Sequence, residues 1–268
     1  MTGTFDFHAG DSPLLISIPH LGSRIPDDVA GRMTDAGRLS ADTDWHLDRL
    51  YDFAYGSGAS VLQARFSRYV VDLNRDPAGT PLYPGADNTE VCPTTSFDRE
   101  PLYLPDAAPG EAEVADRIAA YWRPYHDKLA ATLAELRRRH DRVVLFEAHS
   151  TRSRVPRFFD GRLPDFNLGT GGGVTADDGL VADMMAVLAD AEGFSHVLNG
   201  RFKGGYNTRN YADPAGGVHA VQLEQAQCSY MAETPPFDYL PDLAERVRPT
   251  LRRLLEAMLA WTAGASAS

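Results

Sequence analysis

An α/β architecture, with helices on both faces of a largely parallel or mixed sheet, is what the sequence predicts. Three observations carry it. Short apolar runs of strand length alternate with segments of helical period, no proline-rich linker separates two self-sufficient halves, and no internal repeat is visible. The 268 residues are read as one domain, 1–268, with a core from about 13 to 262.

Leu14–Pro19 is a short apolar run, expected as a buried strand that ends at His20. Asp44–Tyr55 has helical spacing, with Leu47, Leu50, Tyr51 and Ala54 on one face. Ser60–Phe66 and Arg68–Asn74 read as two strands rich in Val, Leu and aromatics. Residues 77–109 form a long proline-containing stretch without period; loops of that length inside a compact domain are often functional, and this one is expected to serve the active site. Glu111–His140 is a long helical pattern, expected to be interrupted at Pro124. Arg142–Ala148 is another strand, followed by a polar, glycine-rich passage to Gly173. Ala176–Ala191 reads as a helix, His196–Leu198 as a short strand, Gly204–Arg209 as a loop, Val218–Leu223 as a strand and Leu240–Trp261 as a closing helix. Low complexity is confined to the tail Ala263–Ser268.

The chain carries 26 Lys+Arg against 37 Asp+Glu, a net charge of −11, and has no basic run, which disfavours nucleic acid or an anionic membrane as partner. No apolar stretch is long enough to span a bilayer, and the acidic Met1–Asp11 lacks the apolar core of a signal peptide, so a cytoplasmic location is expected. Two cysteines, Cys92 and Cys228, make neither a disulfide framework nor a metal-binding pair. Lys128 and Lys203 are the only lysines; the other cations are arginines, whose planar fork suits bidentate carboxylate binding.

GxxxxGK[ST], GxSxG and HExxH are absent, and Gly169–Gly173 fails GxGxxG because Val174 stands where the last glycine belongs. The informative residues lie instead at the ends of predicted strands, where open α/β sheets place ligands. His20 ends the first strand, His149 ends Val143–His149, and Glu224 ends Val218–Glu224. Period-2 alternation puts Glu147 with His149 and Gln222 with Glu224 on common faces, and aligns Arg68, Asp72 and Asn74 with Arg75 just beyond. Two imidazoles, nearby carboxylates and an arginine-rich strand end suit a mononuclear metal hydrolase with an open position for water. Taken singly, each residue also has an ordinary structural reading as a hydrogen-bonded or solvated side chain. His8, His46, His126, His140, His196 and His219 are read that way.

The motifs Ser17–Gly22, Asp42–Leu50, Ser67–Arg75, Glu147–Ser150, Asn199–Tyr206 and Gln222–Glu224, in this order, resemble the N-formylglutamate deformylase (N-formylglutamate amidohydrolase) family of histidine degradation. The resemblance runs from about Pro13 to Trp261. It implies a three-layer α/β/α sandwich of the phosphorylase/hydrolase-like type, related to zinc carboxypeptidases and aspartoacylases. It also implies a divalent metal, Zn²⁺ before Co²⁺, Mn²⁺ or Fe²⁺, held by His20, Asp44 and His149, with Asp42 as the alternative aspartate.

The same resemblance implies that Glu224 is the catalytic glutamate, that Arg68 polarises the scissile carbonyl, and that Asn74 and Arg75 hold a substrate carboxylate. Arg209 or Arg152 is then expected at the second carboxylate. Where the family often has Asp-x-His-Ser, this chain has Glu147-Ala-His149-Ser150, and Glu147 is expected to support His149 rather than to bind metal. The implied reaction is metal-dependent hydrolysis of N-formyl-L-glutamate to glutamate and formate, on a small-molecule substrate, with homo-oligomerisation left open. An aspartoacylase-like deacylase for another N-acyl amino acid is the alternative within the class, and a catalytically silent binding protein the alternative outside it.

Overall fold

A computed structural model describes residues 3–264 of the chain; residues 1–2, and 265–268 at the end of the low-complexity tail, lie outside the described residues. Seven strands, β1 (Phe5–His8), β2 (Leu14–Ile18), β3 (Ser60–Ala64), β4 (Val143–Thr151), β5 (Phe166–Gly169), β6 (His196–Leu198) and β7 (Val218–Ala226), form one sheet in the order β1-β3-β2-β4-β7-β5-β6. The central β3, β2, β4 and β7 run parallel, β1 and β5 join antiparallel, and β6 is parallel to β5. The helices are α1 (Asp27–Ala30), α2 (Asp35–Leu39), α3 (Leu47–Leu50), α4 (Glu111–Arg117), α5 (Arg123–Arg139), α6 (Asp178–Ala189), α7 (Tyr206–Tyr211) and α8 (Pro241–Gly264). Among the described residues, no helix is long and apolar enough to cross a membrane.

Alternation along the strands sorts the core onto two faces. Leu14, Ile16 and Ile18 of β2 and Val144, Phe146 and Ala148 of β4 pack with Leu180, Met184 and Leu188 of α6 and Val247, Leu251 and Leu254 of α8. Leu15, Leu62, Val143, Leu145 and Ala220 pack on the opposite face with Tyr125, Leu129, Leu133 and Leu136 of α5. Helices on both sides of a mixed sheet are the layering the sequence predicts. All nine residues of β4 are buried, which is the mark of a strand covered on both faces.

Several elements differ from the sequence expectations. Arg68–Asn74 is not a strand. It leaves the sheet after β3 and turns, with the Val70 amide bonded to the Ser67 carbonyl and the Asn74 amide to the Asp72 carboxylate. Its apolar residues report burial against α5 and the 77–109 segment rather than strand pairing. The expected Asp44–Tyr55 helix is a single turn, α3, followed by a 3₁₀ segment Asp52–Ser57. The helical run Glu111–Arg139 is interrupted just before Pro124, where one π turn, Ile118–Trp122, widens it. That wider turn takes up the proline's missing N–H and the crowding of its ring against the preceding turn. Gly204–Arg209 holds most of α7, not only a loop. β1 and β5 have no counterpart in the sequence reading: β1 falls in the acidic N-terminus and β5 in the polar, glycine-rich passage before Gly173. The 77–109 stretch carries neither helix nor strand, as expected.

Candidate active site

The carboxyl ends of β2, β4 and β7 meet on the α5 side of the sheet. His20 follows β2 by two residues, and the Asp44 amide donates to the His20 carbonyl at 3.0 Å, which ties the segment before α3 to that strand end. Parallel pairing of β4 with β7 sets Glu147 beside Gln222 and His149 beside Glu224. Side chains with chemistry thus arrive from four separate stretches of sequence.

His20, Asp44 and His149 are each buried and each offers one ligand-type atom, all within 4.8 Å of one another. Asp44 Oδ2 lies 3.1 Å from His149 Nδ1 and 3.8 Å from His20 Nδ1, and accepts from the Ser150 amide. Both histidines therefore turn Nδ1 toward Asp44 and Nε2 away. His20 Nε2 is 2.7 Å from Asp72 Oδ1. His149 Nε2 is 3.2 Å from Asn74 Nδ2 and 3.4 Å from Glu147 Oε2. Asp44 Oδ1 is buried without a hydrogen-bond partner, a costly condition for a carboxylate oxygen. Two imidazole nitrogens beside a carboxylate with an unused oxygen, backed by outer carboxylates, are a donor set that fits a divalent transition metal. Asp42 is not part of this group. It accepts from Tyr69 Oη at 2.6 Å and the Phe97 amide at 2.7 Å, and faces Arg152.

The charges are unbalanced toward the negative. Buried Asp44, Asp72, Glu147 and Glu224 surround the histidines, and Arg68 and Arg75 oppose them. Burial works to raise the Asp72 carboxyl, but Arg68, His20 and Arg75 outweigh it and hold it well below the usual carboxylate range. Burial lowers the His149 imidazole, but hydrogen bonds to Asp44 and Glu147 reverse the sign and push it up to about 10. Burial raises Glu224 to about 7 against the lowering effect of His149. A cluster in which an imidazole is driven toward its cationic form is short of positive charge.

A cavity opens directly onto this group. His20, His149, Gln222 and Glu224 form its floor and Arg68, Asn74 and Arg75 one wall. Leu82, Tyr83 and Phe97 of the 77–109 segment, with Phe158 and Phe202, make its apolar rim. Arg68 Nη2 donates to Asp72 at 2.7 Å, and its guanidinium lies 4.8 Å from the centre of the Phe97 ring. Arg75 donates to the Thr89 hydroxyl at 2.9 Å.

Arg152 and Arg209 do not line the cavity. Arg152 is taken up by Asp98 at 2.7 Å and by Asp42, and Arg209 is exposed, bonded to the Gly204 and Leu82 carbonyls. The other histidines sit apart from the site; His126, for example, is held between the Leu73 carbonyl and the Tyr211 hydroxyl. Asn207 and Gly205, to which the sequence reading gave no role in the site, are woven into the floor through Asn74, Glu147 and Gln222. The adjacent Gly204-Gly205 pair was the one local signal that backbone approaches something closely there.

The family model for N-formylglutamate amidohydrolase matches residues 12–231. N-formylglutamate deformylase of Pseudomonas aeruginosa is 52% identical over 261 residues, 97% of this chain and 98% of that protein. N-formylglutamate deformylase of Pseudomonas putida is 49% identical over 98% of each. The crystal structure of N-formylglutamate amidohydrolase from Ralstonia eutropha JMP134 superposes with a TM-score of 0.82 at 27% identity, covering 98% of this chain and 99% of that one.

Proposed function

Since the chain belongs to the N-formylglutamate amidohydrolase family, we propose that it hydrolyses N-formyl-L-glutamate to L-glutamate and formate, as a closing step of histidine breakdown, with a divalent metal held by His20, Asp44 and His149. The observation that carries this reading is the convergence of those three buried residues, with an Asp44 oxygen that has no hydrogen-bond partner, beside the cavity lined by Glu224 and Arg68. When bound, a divalent ion supplies a Lewis acid that activates water and polarises the formyl oxygen. Zinc is the first choice for this donor set, with cobalt, manganese and iron sharing its chemistry.

The protein groups divide the remaining work. Glu224 takes a proton from the attacking water and returns it to the leaving amine nitrogen. Gln222 Nε2 donates to Glu224 Oε2 at 3.2 Å and fixes the orientation of that carboxyl. Arg68 lines the cavity and stabilises the oxyanion that develops on the formyl oxygen, while its bond to Asp72 keeps it in place. Asn74 and Arg75 face the cavity for a substrate carboxylate. Arg152 and Arg209 would need to give up their present partners to reach the other one. The aromatic rim from Tyr83, Phe97, Phe158 and Phe202 limits water around the reacting carbon.

Turnover of N-formyl-L-glutamate by metal-stripped and zinc-reconstituted protein tests the reading. Stripping should abolish activity and zinc or a similar ion should restore it; full activity in protein shown to be metal-free would overturn it. N-formylglutamine, run in parallel, should lose about 2–5 kcal/mol in kcat/KM, because it leaves a buried cation without its carboxylate. Equal efficiency on both substrates would show that the side-chain carboxylate is not read.

A further inference from the structure

In the turn Gly205–Asn207, at the start of α7, only Gly205 lines the cavity, yet three of the turn's groups reach the residues that hold its reacting centre in place. The Gly205 amide donates to Gln222 Oε1 at 2.7 Å, and Gln222 in turn donates to Glu224. The Asn207 amide donates to Asn74 Oδ1 at 2.9 Å, and the Asn207 side chain donates to Glu147 Oε2 at 3.1 Å. Asn74 and Glu147 are the two groups against His149 Nε2. Asn207 and Glu147 are both fully buried, so neither bond competes with solvent. The packing leaves no slack: a Cβ on Gly205 would lie 2.2 Å from the Asn74 side chain.

The chemistry of Asn207 matters as much as its place. Glu147 Oε2 must serve His149 Nε2 in a pocket that already carries Asp44, Asp72 and Glu224. A neutral amide N–H orients that carboxylate without adding charge. A carboxylate in its place would repel Glu147, and an apolar group would leave Glu147 free to rotate away from the ring. We propose that Asn207 is a positioning residue. Through Glu147 and Asn74 it sets the orientation of His149, and with Gly205 it couples that setting to Glu224. The proposal rests on the reading of His149 as a metal-binding residue and adds to it a group that touches neither metal nor substrate. Outer partners of metal-binding histidines typically change metal affinity by about 10–100-fold.

The test uses the full-length protein and zinc itself, titrated in competition with a chromophoric chelator, together with kcat, KM and the Tm of the metal-free form. Asn207→Asp keeps the shape and loses the donor; Asn207→Ala loses both. Both should weaken zinc binding by about 10–100-fold, and kcat at saturating zinc should fall while KM changes little. Asn207→Ala placed on a Glu147→Gln background should add much less than it does alone, because the two act through one contact. Zinc affinity within about twofold of wild type in Asn207→Asp protein of unchanged Tm, or fully additive effects in the double variant, would overturn the proposal. A wild-type protein that binds zinc tightly but leaves N-formyl-L-glutamate intact would fail the functional reading alone. One that binds no zinc would overturn both.

Discussion

Glu224 is the residue at which chemistry and binding separate. It lies beside His149 in the β4–β7 register and is buried. Glu224→Gln keeps its shape and removes its basicity, so zinc content and KM should hold while kcat falls by roughly 10²–10⁴, the usual worth of general acid–base catalysis. If Glu224 were only a buried structural carboxylate, the same variant would lose Tm and keep its turnover; measuring both on one preparation decides. The two aspartates before α3 divide in the same way. Asp44→Asn should release the metal, whereas Asp42→Asn should keep it and weaken the bonds to Tyr69, Phe97 and Arg152. Metal loss from Asp42→Asn alone would reverse that assignment. His20, His149 and Glu224 could be picked out of the sequence because each stands at the carboxyl end of an apolar run, where period and chemistry coincide. Asn207 could not, because its importance exists only once the fold brings residues 74 and 147 to it.

At the level of elements, burial was legible and backbone geometry less so. Leu14–Ile18, Val143–Ala148 and Val218–Leu223 pack against helices on both faces, so their apolar runs announce them. Arg68–Asn74 is equally buried and rich in apolar residues, but the 77–109 segment rather than a neighbouring strand satisfies part of its backbone, as where the Asp72 amide donates to the Val91 carbonyl. Hydrophobicity reports removal from water and not the partner that removes it. The π turn before Pro124 was legible as a disturbance and not as its form. It places the Trp122 indole N–H against the Arg75 carbonyl at 3.1 Å, so a helix irregularity reaches the cavity wall. Gly205→Ala tests how tightly α7 is seated. Its Cβ would strike Asn74, which is buried and cannot swing into solvent, so the variant should lose about 1–3 kcal/mol of stability, with reduced kcat. A Gly205→Ala protein of unchanged Tm and turnover would show that the α7 turn can move as a unit.

For the molecule as a whole, the candidate metal group is a product of topology. His20, Asp44 and His149 are separated by 24 and 105 residues along the chain, and only the crossing of β2 to β4 in the assembled sheet makes them neighbours. An unfolded chain holds no such site, so metal affinity becomes folding free energy in full. Free zinc at about 1,000 times its dissociation constant should then stabilise the native state by about 4 kcal/mol. For a chain of this size that corresponds to a rise in Tm of roughly 8–16 °C over the metal-free protein. The metal-free state carries the opposite burden, since Asp44, Asp72, Glu147 and Glu224 are packed against too few cations. His149→Ala removes one nitrogen donor and the buried partner of Asp44 and Glu147, so its metal-free Tm should fall, and the zinc-dependent rise above that lower value should shrink or disappear. Thermal melts of wild type and His149→Ala, each with and without zinc, measure both effects together. An equal zinc-dependent rise in the two proteins would place the stabilising ion elsewhere, and no rise in either would remove the metal from the centre of the fold.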